Sequence, residues 1–121
     1  SKKDRFKNAQ RICQLGKFLN DQGFNVVTAI LSLFPENREW NRSNIKNYYE
    51  VFIDAPLEDL IKRDSKGLYE KFSKGEISEV AGMDIEFLKP ERADLVIKNT
   101  DSKESLLNYA ELIAKKFSIL K

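Results

Sequence analysis

Small and apolar side chains at Phe6, Ala9, Ile12, Cys13, Gly16 and Leu19 recur three or four residues apart, with charged and amide side chains between them. That period predicts an amphipathic helix over residues 3–22, stopped by Gly23. The pattern then changes. Val26-Val27-Thr28-Ala29-Ile30-Leu31 is continuous, apolar and rich in β-branched residues, as expected of a strand buried on both faces. A weaker helical pattern covers 36–46, and Tyr49–Ile53 predicts a second strand, ended by Asp54-Ala55-Pro56. Pro56 suits the first turn of a helix reaching about Arg63. Leu95-Val96-Ile97 predicts a third strand, and Asp101 with Glu104 frames a capping box for a last helix. That helix is expected to bury Leu106, Leu107, Ala110, Ile113, Ala114 and Phe117. Residues 75–92, with Gly75, Gly82 and Pro90, predict a mobile loop.

Strands alternating with helices point to an α/β fold with a parallel sheet. At 121 residues the chain is at most one domain. Its surface mixes both charge signs around a net charge of +2, so any anion site must be local, and no nucleic-acid or membrane partner is implied. Cys13 stands alone, which excludes an internal disulfide and suits the cytoplasm. No apolar run is long enough for a bilayer. The absence of histidine removes Ser-His and Cys-His mechanisms and argues against a transition-metal site, so no metal ligands are assigned. No G-x-x-x-x-G-K-[ST] is present; Gly16-Lys17 lacks the upstream glycine and follows a helical pattern.

Two runs carry a family resemblance. Arg63-Asp64-Ser65-Lys66-Gly67-Leu68-Tyr69, followed by Lys74-Gly75, resembles the lid of adenylylsulfate (APS) kinases, and Asp4-Arg5-Phe6-Lys7-Asn8 resembles their D-R-x-x-N signature. The resemblance implies a P-loop kinase-type parallel sheet flanked by helices. The fold would be incomplete here, with its first two strands and phosphate loop absent. Residues 1–121 would then form the C-terminal two-thirds of one kinase domain, with its lid at about 63–92. The missing strand should lie between 26–31 and 49–53. Its absence would leave buried backbone groups unpaired at roughly 1–3 kcal/mol each, a sum that exceeds a usual stability of ~5–15 kcal/mol.

By the same resemblance, the chain implies an ATP- and Mg2+-dependent kinase acting on the 3′-hydroxyl of a small nucleotide. Arg5 and Asn8 would bind the anionic substrate, since arginine offers a bidentate fork to phosphate oxygens. Leu31 and Ser32 would lie at the substrate, with Ser32 and Lys66 beside the transferring phosphoryl group. No base is present to make Ser32 a nucleophile. Arg63 and Lys66 would grip ATP, and Lys66 the acceptor's anions as well. Read from the residues alone, Arg5 and Asn8 are as well explained by a solvated first helical turn, and Ser32 by a hydrogen bond to its own turn. The resemblance also implies a homodimer, for which Trp40 is a candidate contact, though a partly buried tryptophan explains it as well.

Departures from the family fall on the acceptor side. The S-P-[FY]-R motif becomes Ser32-Leu33-Phe34-Pro35, and F-T-G-[IL]-D becomes Val80-Ala81-Gly82-Met83-Asp84. Val80 thus stands where a phenylalanine would stack on adenine, a contact worth ~1 kcal/mol. The favoured acceptor is therefore cytidine diphosphoramidate, the substrate of the family's branch in bacterial capsule biosynthesis, with adenylylsulfate as the alternative. A non-catalytic nucleotide-binding module is the competing class. A basic patch of Arg38, Arg42, Lys46 and Tyr48-Tyr49 offers a weaker nucleic-acid reading, which Glu36 and Glu39 oppose.

Overall fold

The computed structural model describes residues 1–100 and 102–118. Helix α1 (Lys2–Asp21) is capped by Ser1, whose hydroxyl accepts the Asp4 N–H. Its inward face carries Phe6, Ala9, Ile12 and Leu19 around the buried Cys13, as the periodicity predicts. Gly23, at φ +86°, then turns the chain in a conformation that disfavours a side chain.

The expected strand at 26–31 does not form. Residues 24–34 run without helix or ladder, and Val27 is 86% exposed. The sequence pattern supplies one side of a ladder only. Without a neighbour to accept its hydrogen bonds, an apolar run is not a strand. Order returns at Leu33 and Phe34, both buried, where the Phe34 ring meets Phe6 edge-on at 5.0 Å. Helix α2 (Pro35–Asn44) begins there, with Pro35 in its first turn, and packs on α1.

Strands β1 (Val51–Asp54) and β2 (Leu95–Lys98) pair in parallel, Val51 opposite Leu95 and Asp54 opposite Lys98. The sheet has two strands among the described residues, where three are expected. Between them lie α3 (Leu57–Arg63) and a further short helix α4 (Leu68–Ser73), which the pattern alone leaves unassigned. Helix α5 (Lys103–Lys116) follows β2. Its cap is Ser102, whose hydroxyl accepts the Ser105 N–H; the expected cap Asp101 lies outside the described residues.

The core is thin. Cys13, Leu33, Phe34 and Ile97 are its buried apolar members among the described residues. Helix α5 packs through half-buried Leu106, Ile113 and Ala114, and Phe117 just beyond its end meets Tyr49 edge-on at 5.2 Å. Leu107 and Ala110, expected inside, are exposed because no element covers that side of the helix among the described residues.

The loop expected to be mobile is tied down in its second half. Arg38 donates to the Leu88 carbonyl, Lys89 pairs with Asp54, and Arg92 pairs with Glu39. Arg42 donates to the Arg92 carbonyl and pairs with Asp94, which also accepts the Glu50 N–H at the mouth of β1.

Candidate functional site

Arginine and asparagine three residues apart share one helix face, so α1 presents Arg5 and Asn8 together. They border a groove of about 220 Å³ whose walls are Ala9, Ile12, Ile30, Leu31, Leu33 and Phe34. Three residues expected to hold the acceptor, Arg5, Asn8 and Leu31, therefore meet at one cleft with a cationic rim and an apolar floor. Ser32 sits between two of its lining residues and is half-buried.

A turn from the segment expected to be a lid is tied to this groove's edge. The Arg5 guanidinium donates to the Glu79 carbonyl at 2.9 Å, which brings the neighbouring Val80 to the same side. Glu79 adopts φ +62°, an uncommon conformation for a residue with a side chain. The turn is held from within, because the Asp84 carboxylate accepts the N–H groups of Glu79 and Val80 at 2.7 and 2.6 Å. The Glu79 N–H above all, with the Val80 N–H and the nearby Arg5 charge, outweighs the opposing desolvation and keeps the Asp84 carboxyl below its usual range. Gly82 lies at φ +83°, and a Cβ there would touch the Leu57 side chain at 3.4 Å.

A second groove, of about 180 Å³, collects Arg63 and Lys66, the cations expected on the lid. Leu60, Leu68 and Tyr69 supply its apolar part; Arg63, Asp64, Ser65 and Lys66 supply its polar part. Arg63 is steadied by the Asn99 carbonyl at 2.9 Å. Asp64 accepts the N–H groups of Tyr69 and Glu70, so this acid caps α4 instead of facing a ligand. Gly67, at φ +63°, makes the tight turn between them. Lys74 is accounted for by its exposed pair with Glu70. Lys66, assigned to donor and acceptor alike, stands in this groove with Arg63 and not in the one that holds Arg5.

Arg38 is the residue that sequence reasoning places in the wrong setting. It belongs to no exposed basic patch. One guanidinium nitrogen donates to the Ser32 carbonyl at 2.8 Å and the other to the Leu88 carbonyl at 3.2 Å. A main-chain carbonyl fifty positions away leaves no mark in a local pattern. Arg42 is likewise committed to Asp94 and stacks over Tyr48, so two of the three cations in the disfavoured nucleic-acid patch serve the fold.

Among the described residues no cluster of three His, Cys, Asp or Glu side chains converges on a metal position, and no helix is long and apolar enough to cross a membrane.

Comparison with known proteins gives a consistent picture. A profile of the adenylylsulphate kinase family matches residues 1–98. The chain is 46% identical to cytidine diphosphoramidate kinase of Campylobacter jejuni over 115 residues, covering 95% of the chain and 66% of that protein. It is 35% identical to an adenylyl-sulfate kinase of Clostridium acetobutylicum, covering 88% of the chain and 56% of the relative. The APS kinase of Mycobacterium tuberculosis, solved with AMPPNP and APS, superposes with a TM-score of 0.79 at 33% identity, over 93% of this chain and 68% of that one. The chain thus spans about two-thirds or less of the curated relatives' length.

Proposed function

This chain belongs to the adenylylsulphate kinase family, and on that premise we propose that it serves an ATP-dependent kinase that phosphorylates the 3′-hydroxyl of a small nucleotide, cytidine diphosphoramidate by preference. The observation that supports this reading is the Arg5–Glu79 bond, because it ties a groove-lining arginine to the residue next to Val80, which is aliphatic. A pyrimidine needs less stacking surface than adenine, and Val80 offers less than the ring it replaces. The higher identity to the Campylobacter enzyme supports the same acceptor.

Phosphoryl transfer asks a protein mainly for position and charge neutralisation. Arg5 and Asn8 would hold the acceptor's anionic group. Leu31 and Ser32, at the end of the run beside them, would set its depth. Arg63 and Lys66 fit the phosphates of ATP, which when bound supplies the transferred group; Lys66 would neutralise charge shared with the acceptor. Arg63 is presented by its bond to Asn99, so it arrives oriented. Mg2+ belongs to this proposal as the companion of ATP. Mg2+ is held in such chemistry by one or two carboxylates and the nucleotide phosphates. Among the described residues no cluster of three His, Cys, Asp or Glu side chains forms a cage of its own. The cytoplasm, a homodimer and a single kinase domain whose lid is residues 63–92 complete the reading.

The test is ADP release by the full-length protein with ATP and Mg2+, offered each acceptor. Faster turnover of cytidine diphosphoramidate supports the proposal. Faster turnover of adenylylsulfate moves the acceptor to the second reading, for which the 35% identity to an adenylyl-sulfate kinase speaks. Nucleotide binding without ADP release would make the protein a binding module.

A further inference from the structure

The segment from Glu79 to Leu88 is held at both ends by arginines from the acceptor side. Arg5 of α1 donates to the Glu79 carbonyl, and Arg38 of α2 to the Leu88 carbonyl. Arg38 does more, because its other nitrogen takes the Ser32 carbonyl at 2.8 Å. One planar, permanently charged fork therefore fixes two irregular backbone segments relative to each other. Ser32 adjoins the groove through Leu31 and Leu33, and the segment is tied to it where the groove-lining Arg5 holds Glu79, the neighbour of Val80. We infer that Arg38 is a positioning residue for the acceptor: it touches no ligand, and it holds the Ser32 backbone and the segment that carries Val80 in the spacing that shapes the acceptor groove.

Chemistry favours this over a general stabilising role. Both acceptors of Arg38 are main-chain carbonyls, so the bonds report backbone position and depend on no particular side chain at Ser32 or Leu88. A lysine keeps the charge but cannot span two carbonyls with fixed geometry. The groove that holds Arg63 and Lys66 lies on α3 and α4, which Arg38 does not touch. Loss of Arg38 should therefore act on the acceptor and spare ATP.

The inference rests on the proposed kinase reading, and its test separates the two. In the full-length protein, Arg38→Lys and Arg38→Gln should each raise the acceptor KM about tenfold with the ATP KM unchanged. Arg92→Ala, which breaks a solvent-exposed pair of the same loop, should move neither constant. A second readout needs no acceptor. Cleavage by a glutamate-specific protease after Glu86 should quicken several-fold in Arg38→Gln relative to wild type and to Arg92→Ala. Equal rises in both KM values, or an unchanged acceptor KM, would overturn the inference. If the wild-type protein turns over neither acceptor, the kinase reading fails, and cleavage decides: an unchanged rate at Glu86 overturns the role of Arg38, and a quickened one upholds it as the tie on the segment.

Discussion

The Asp84 carboxylate takes the main-chain N–H of Val80 at 2.6 Å, so the backbone of Val80 is positioned by an acid four places further on. The same carboxylate takes the Glu79 N–H. Because these bonds favour the ionised form, the carboxyl titrates below its ordinary value of 3.8. A depressed folded-state pKa contributes stability that is present above the unfolded value and is lost as pH falls through the folded one. The amide protons of Glu79 and Val80 should therefore shift together in an NMR titration, with a midpoint below 3.8. A midpoint at or above that value would contradict the arrangement, and Asp84→Ala should abolish the transition.

Val80→Phe restores an aromatic ring at the turn tied to Arg5. Stacking of that kind contributes ~1 kcal/mol, so the ratio of kcat/KM for adenylylsulfate over cytidine diphosphoramidate should rise about fivefold. Steady-state kinetics of the full-length protein with both acceptors measures it. A ratio that stays put would show that base preference is set elsewhere.

Asp64 caps α4 through two N–H groups, those of Tyr69 and Glu70. Asp64→Ala should cost about 0.5–2 kcal/mol, read as a lower melting temperature, while Asp64→Asn keeps an acceptor oxygen and should lose less. Equal losses for the two variants would mean that charge, and not the cap, is what Asp64 provides.

Cys13 is only 6% exposed, and burial pushes its thiol above the ordinary range. The thiolate is the reactive form, so a thiol reagent at neutral pH should label the folded chain slowly and the urea-unfolded chain at once. Rapid labelling without denaturant would show that α1 does not stay packed on α2.

Local signals explain what could be read in advance. Periodicity finds the inner face of α1, since Phe6 to Leu19 repeat on one side and Cys13 is buried there. Parallel pairing of β1 with β2 follows from apolar runs separated by helical patterns, and the lid cations stand out by their motif. The remainder depends on partners distant in sequence. Residues 26–31 have the composition of a strand and lack a ladder, because hydrogen-bond partners are not written into the run itself. Arg38 looks like surface charge until its carbonyl acceptors at Ser32 and Leu88 are seen. Asp64 and Asp84 read as lid acids, yet each is occupied by backbone N–H groups within six residues. Only three-dimensional proximity separates an acid that meets solvent from one that builds a turn.

The stretch Val26–Leu31 has a consequence for handling this polypeptide. It is uncharged, β-branched, free of proline and open along its backbone, with Val27 and Leu31 at 86% and 63% exposure. To a second copy at high concentration, such a stretch is a template for intermolecular cross-β growth. A lysine at position 27 would act as a gatekeeper against it. The colloidal behaviour of these 121 residues should follow less from a balanced surface charge than from six exposed, uncharged residues outside any ladder.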